Sequence, residues 1–327
     1  MVILSDWNQG LEAYSIPEDL IKNINSLFSE SHFAFKDDVF DVDEVFSYFG
    51  NIPDESTLSR FPNLQWVHFG SIGIDKISTR FIEENALTVT NGAKTNNSAV
   101  VTFCMGELFR SCKAGFLSRN PEKTEFTREH YNNFYDHMID YSDIELTILG
   151  YGSIGKELAT VLSPIIKNIN IVTKTKRENY KNIKFFSLNE ISDAIKESTH
   201  LINVLPLHKE TFEILNKKTL KNINSTYYIC AGRAETHVIE EIIKFIDLGN
   251  IRGASIDVHG LPNGQIQEID LKHGMLNLYP HISGWTKNFW NNHKEIIIHN
   301  IKMFNADCHE DMKNLIYKKG KIFNGKT

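Results

Sequence analysis

The residues best suited to chemistry lie mid-chain, at Gly150-Tyr151-Gly152-Ser153-Ile154-Gly155. In a glycine turn of this spacing the first glycine permits a sharp reversal, and the second lets backbone approach a phosphate. The third lets a helix pack closely on a strand. Unpaired N–H groups at the start of the following helix, with its dipole, favour a pyrophosphate. Gly150, Gly152 and Gly155, with Ser153 and Ile154 at the helix start, are therefore candidates to hold a dinucleotide. A bare structural turn is the alternative, because such turns are common in α/β proteins. About twenty residues on, a carboxylate would normally accept from the adenosine ribose 2′-OH. Here the chain reads Thr173-Lys174-Thr175-Lys176-Arg177, with no acid before Glu178. Lys174, Lys176 and Arg177 suit a 2′-phosphate that a carboxylate would repel, so NADP (NADPH) is favoured over NAD. The other reading is a solvated basic loop.

These residues need a strand before them and a helix after. Ile144-Glu145-Leu146-Thr147-Ile148-Leu149 reads as that strand, and helical spacing follows through Ile154, Leu158, Val161 and Leu162 up to Pro164. Further strands are expected at 169–173, 201–205, 227–230, 253–258 and 275–279, with helical segments between most of them. Ahead of this unit, strands at 2–4, 64–69 and 87–90 show the βαβ rhythm of a parallel sheet. The stretch from Ser118 to Asp143 carries the least pattern and reads as an arm or linker. A final helix, roughly Thr286 to Asn305, is expected to return to the first unit. The fold expected is α/β, with two doubly wound parallel-sheet domains and an active-site cleft between them. Residues 1–98 with 291–327 would form the substrate domain, and 99–290 the dinucleotide-binding domain.

Further motifs sit at the ends of the later strands. They are Leu205-Pro206-Leu207-His208-Lys209-Glu210-Thr211, Tyr228-Ile229-Cys230-Ala231-Gly232-Arg233, Gly253-Ala254-Ser255-Ile256-Asp257-Val258 and Tyr279-Pro280-His281-Ile282-Ser283-Gly284. With Gly70-Ser71-Ile72-Gly73-Ile74-Asp75 and Val89-Thr90-Asn91-Gly92, their order resembles the D-isomer-specific 2-hydroxyacid dehydrogenase family, which includes glyoxylate/hydroxypyruvate reductases. The resemblance covers about residues 64–290. It implies that Arg233 binds a substrate carboxylate through its planar fork and that His281 is the general acid/base. It implies that Asp257 holds the nicotinamide carboxamide, and that backbone N–H groups of Ser71, Ile72 and Gly73 grip the carboxylate. It further implies that Thr173, Leu205, Pro206, Cys230 and Ala231 line the cofactor. Taken singly, Arg233 is a strand-end ion-pairing residue, Asp257 a turn cap and His281 one of 13 histidines. The resemblance also implies a homodimer, formed through the helix from Asn97 and the arm after it.

The chain departs from the family pattern in three places. A catalytic glutamate is expected before Pro262, where this chain has Leu261; Glu268 or Asp270 would have to replace it. In the family that carboxylate supports the protonated imidazole. Cys230 stands where asparagine is usual and reads equally as a small buried hydrophobe. Ala234 replaces a glycine, which bears on the local turn. The leading expectation is an NADPH-dependent reductase of a small 2-keto acid, giving the D-2-hydroxy acid. One rival is a nucleotide-binding regulator or scaffold without turnover; a second is a formate-dehydrogenase-like enzyme that needs no proton transfer.

Composition narrows the field. The 327 residues are 41% hydrophobic and 23% charged, enough to bury a core of ordinary size. No apolar run approaches the length needed to cross a bilayer, and the first residues do not read as a signal peptide. A net charge of −6, with no basic block, disfavours nucleic-acid binding. Four cysteines without a CxxC pair argue for the cytoplasm and against a metal site.

Overall fold

The computed structural model describes the chain except residues 1, 8–14, 29–31, 36–37, 51–53, 75–76, 119–126, 176, 262–274, 319–320 and 323–327. Two compact units emerge, Met1–Asn96 with Trp285–Thr327, and Asn97–Gly284.

The first unit begins with β1 (Val2–Ser5), α1 (Glu18–Leu27), β2 (His32–Phe35) and β3 (Val45–Gly50). It continues through α2 (Glu55–Leu58), β4 (Trp66–Phe69), α3 (Thr79–Glu84) and β5 (Thr88–Asn91). These five strands pair in parallel. Strands covered on both faces are mostly apolar, and β1 and β4 are buried at every position, with Ser5 and His68 as their polar residues. Helices start where the sequence supplies caps and charge. Glu18 and Asp19 complement the dipole of α1, and the Ser78 hydroxyl accepts from the Phe81 N–H at the start of α3.

The second unit opens with α4 (Asn97–Cys112), α5 (Arg128–Asp136), β6 (Glu145–Leu149), α6 (Ser153–Leu162), β7 (Asn168–Val172) and β8 (Ile183–Phe186). Then come α7 (Ile191–Ala194), β9 (His200–Asn203), β10 (Thr226–Cys230), α8 (Ile239–Asp247), β11 (Ile251–Ile256) and β12 (Leu276–Leu278). All seven strands are parallel, in the order β12-β11-β10-β9-β6-β7-β8. Direction of winding reverses between β6 and β9, which is where ligands bind in an open α/β sheet.

The chain then returns to the first unit as α9 (Phe289–Asn305), followed by β13 (Leu315–Lys318) and β14 (Lys321–Ile322). Ile297 and Ile301 of α9 pack with Ile3, Trp7 and Trp66 in one core cluster. The completed sheet runs β14-β13-β5-β4-β3-β1-β2, with β13 antiparallel to β5. Its five parallel strands follow the flavodoxin-like order.

Two sequence expectations are corrected here. The arm contains a helix, α5, started by a capping box in which His130 stands where Glu or Gln is usual: its Nδ1 accepts from the Thr127 N–H at 3.0 Å. Strands β2, β3 and β8 also went unread, being short runs without the clear alternation of a half-buried strand.

Candidate active site

The glycine turn of the second unit is built as its spacing requires. Gly150 has a φ of 104°, open to glycine and strained for other residues. A Cβ on Gly155 would lie 2.0 Å from the Gly150 carbonyl oxygen, so α6 can approach β6 only with glycine there. Gly152 differs: a Cβ on it would meet nothing within 4 Å. It is also the N-cap of α6 and brings no side-chain cap to the first N–H groups of that helix. This is the arrangement a pyrophosphate fits. Ser153 donates its hydroxyl to Asn97 Oδ1 at 3.1 Å, and the half-buried Ile154 packs against the core.

Around the turn, the Leu205 N–H donates to Asn203 Oδ1 at 3.1 Å and the Ala231 N–H to the Asn203 carbonyl at 3.0 Å. Asn203 thereby fixes the strand ends on which Leu205, Pro206 and Ala231 sit. Thr173 is half-buried at the end of β7, its N–H donating to the Phe186 carbonyl. Lys174 is exposed and pairs with Glu210 at 2.8 Å. Arg177 lies over the Tyr151 ring at 5.0 Å from its centroid. Lys176 lies outside the described residues. Cys230 is fully buried in the core, and that burial pushes its thiol up to about 11.

His281 is exposed and has a φ of 57°, rarely adopted by a residue with a side chain. Its turn is tied down by Asp257. The His281 N–H donates to the Asp257 carbonyl at 3.1 Å, and the Ile282 and Ser283 N–H groups donate to the two carboxylate oxygens at 2.7 and 3.0 Å. Asp257 itself has no exposed surface. Its carboxylate caps this turn. Just before the turn, the Tyr279 hydroxyl donates to Glu107 Oε1 at 2.7 Å. Burial opposes the charge on Glu107, but bonds from Arg110, Ser255 and Tyr279 outweigh it and hold the carboxyl below its usual range. Glu107 carries no signal in the sequence, because its partners Ser255 and Tyr279 lie far along the chain.

Arg233 is half-buried where β10 ends, and its Nη1 donates to the Gly232 carbonyl at 3.2 Å. A Cβ on Gly232 would come within 2.8 Å of the Leu205 carbonyl oxygen, so glycine sets the exit that carries the arginine. Ala234 opens a 3-10 turn without a positive φ, and the change from glycine therefore strains nothing. Among the described residues no carboxylate lies within ion-pair distance of His281; Glu268 and Asp270 lie outside them.

In the first unit, the loop after β4 has its carbonyls turned inward. Those of Ser71, Ile72 and Gly73 accept from the Gly92 N–H (3.1 Å), Asn91 Nδ2 (2.6 Å) and Ser71 Oγ (2.8 Å). Among the described residues the N–H groups of Ser71, Ile72 and Gly73 donate to nothing, leaving adjacent donors suited to an anion. Asp75 lies outside the described residues. The role of Asn91 in shaping this loop is not legible in the motif that contains it, because its partner Ile72 lies 19 residues away.

Residues 116–283 match the family model of the D-isomer specific 2-hydroxyacid dehydrogenase, NAD binding domain. The chain belongs to the D-isomer-specific 2-hydroxyacid dehydrogenase family. These are NAD(P)-dependent oxidoreductases. This family member is 28% identical over 157 residues to glyoxylate/hydroxypyruvate reductase A of Enterobacter sp. (strain 638), across 47% of this chain and 50% of that protein. The chain thus spans half the length of that relative. Its fold matches the NAD-dependent formate dehydrogenase of Staphylococcus aureus, in complex with NAD, at a TM-score of 0.80 and 16% identity, covering 98% of this chain and 100% of the other. It also matches the NADPH-dependent glyoxylate/hydroxypyruvate reductase of Sinorhizobium meliloti, in complex with NADP and sulfate. There the TM-score is 0.73 at 15% identity, covering 96% and 98% of the two chains. At these identities the structural likeness speaks for the fold alone. Among the described residues no helix is long and apolar enough to cross a membrane, and no cluster of ligands suits a metal.

Proposed function

We propose that this 2-hydroxyacid dehydrogenase family member reduces a small 2-keto acid to the D-2-hydroxy acid with NADPH. The observation that carries the proposal is the exposed His281 imidazole on a left-handed backbone held by three bonds to Asp257. Strain of this kind persists where surrounding structure over-determines it, and it collects at functional sites.

The glycine turn and the N-terminus of α6 would hold the pyrophosphate, with the basic loop that follows β7 meeting the 2′-phosphate. When bound, the reduced nicotinamide supplies a hydride. Arg233 pairs with the substrate carboxylate through two parallel N–H groups, fixing the orientation of the keto carbon. Ser71, Ile72 and Gly73 offer backbone donors that suit a carboxylate. His281 hands a proton to the oxygen that gains charge. We further infer a homodimer formed through α4 and the arm, where Tyr131 and Tyr135 of α5 are exposed. All four cysteines are free thiols, in keeping with the cytoplasm.

Loss of reduced-nicotinamide absorbance, followed with NADPH and a panel of glyoxylate, hydroxypyruvate and bulkier keto acids, tests the reading. Turnover on a small keto acid is expected. NADPH binding without turnover on any of them would favour the regulator, a reading supported by Leu261 in place of the acid.

A further inference from the structure

We propose that Glu210 is a specificity-determining residue: it masks Lys174 from the 2′-phosphate and leaves that recognition to Arg177. This rests on the NADPH reading above. Lys174 follows β7 and Glu210 follows β9, the two strands that flank β6 and its glycine turn. Their 2.8 Å ion pair therefore bridges the crevice at the reversal of strand order, where the adenosine end of a dinucleotide belongs. Both side chains are more than half exposed and line one open cavity of about 700 Å³.

The two basic residues consequently face an incoming phosphate differently. A carboxylate in contact with an ammonium cancels most of its field at a third charge. A dianionic phosphate approaching Lys174 also approaches Glu210 and is repelled. Arg177 stands over Tyr151, and Tyr151 meets Phe185 edge-on with ring centroids 5.1 Å apart. An aromatic face steadies a guanidinium without cancelling its charge, and the planar N–H fork stays available to phosphate oxygens. The exposed Lys174–Glu210 pair is weak enough for a substitution to release the lysine without unfolding the chain.

Dissociation constants for NADPH and NADH, measured by fluorescence titration of the purified protein, test this without any substrate. Glu210→Gln should tighten NADPH by about tenfold, as expected for one charge released near a phosphate, with NADH little changed. Adding Lys174→Met to Glu210→Gln should abolish that gain, whereas Lys174→Met alone should shift NADPH affinity by less than about threefold. Arg177→Met should weaken NADPH most. An unchanged NADPH affinity in Glu210→Gln overturns the inference. So does a selective loss of NADH affinity, which would make Glu210 an acceptor for the ribose hydroxyls. Tighter binding of NADH than NADPH by the unmodified protein would instead defeat the NADPH reading, while the Glu210→Gln response still decides the masking role.

Discussion

Asp257 holds His281 by its main chain and by both of its carboxylate oxygens. One carbonyl bond of 3.1 Å meets the histidine itself, and bonds of 2.7 and 3.0 Å meet the next two N–H groups. An aspartate buried to this degree acts on the site through the turn it caps.

Asp257→Asn would replace one acceptor with an NH2 group aimed at a backbone N–H. Leaving such a donor unpaired costs about 1–3 kcal/mol. Turnover is expected to fall by about ten- to a hundredfold as the His281 turn relaxes, with NADPH affinity kept within about threefold. Kinetics and cofactor titration on the same preparation check this. Lost NADPH affinity with turnover preserved would return the aspartate to the nicotinamide.

Arg233 carries a different kind of prediction. Its fork is matched to a carboxylate, and lysine is a point charge that cannot supply two parallel bonds. Arg233→Lys should keep part of the activity and Arg233→Ala little, with kcat/KM for the keto acid reduced by about a hundredfold or more. NADPH binding should survive in both. A variant that no longer binds NADPH would move Arg233 out of the substrate site.

The loop at 71–73 gives a third test through Asn91, whose side chain bonds to it. Its Nδ2 holds the Ile72 carbonyl inward at 2.6 Å and its Oδ1 accepts from the Ala93 N–H at 3.1 Å. Asn91→Ala frees the carbonyl to turn outward, where it would repel a carboxylate. A rise of about tenfold in keto-acid KM is expected, with kcat much less affected. An unchanged KM would show that the loop donors do not bind the acid.

What sequence made legible, and what it hid, follows from the range of each interaction. The turn at 150–155 was readable because glycine is required there by local backbone geometry. Arg233 and His281 stand out as candidates because an ordered series of strand-end motifs carries them. The bonds that shape the site are long-range: Asn91 to Ile72, and Tyr279 to Glu107 across α4 and the segment after β12. No periodicity records them. The Lys174–Glu210 pair follows only once β7 and β9 are known to flank β6. The burial of Cys230 is hidden in the same way, because a strand-end position does not reveal which way its side chain faces.

Stability should weaken in mild acid. His68, His237 and His293 are buried, and burial is the main reason their pKa values drop from 6.5 to about 3, 4 and 4. The neighbouring His293 adds to the shift of His68, and His259 to that of His237. An unfolded chain protonates these rings near pH 6.5 whereas the folded chain does not, so the unfolded state binds more protons below that value. Stability is therefore complete above about pH 6.5 and declines as pH falls toward about 4, by up to about 1.4 kcal/mol per pH unit for each ring. Between about pH 6.5 and 5 most carboxylates remain ionised, which isolates the histidines. Urea midpoints across that window should decrease steadily; a flat profile would contradict the buried neutral rings.

The glycine turn separates a structural role from a binding role within one motif. A Cβ at Gly155 would sit 2.0 Å from the Gly150 carbonyl oxygen, forcing α6 away from β6. Gly155→Ala should therefore lower the thermal midpoint measurably and weaken cofactor binding as a consequence. At Gly152 a Cβ meets nothing within 4 Å, and the backbone φ of −75° suits any residue. Gly152→Ala should leave the thermal midpoint of the cofactor-free protein unchanged while placing a methyl group where a pyrophosphate must approach the helix start. An increase of about tenfold or more in the NADPH dissociation constant is expected. Calorimetry of both variants, with and without NADPH, distinguishes the two roles: stabilisation by added cofactor should be full in the unmodified chain and clearly smaller in Gly152→Ala. If Gly152→Ala is still stabilised by NADPH to the same degree, the pyrophosphate does not lie over this turn, and the assignment of the second unit's ligand edge fails with it.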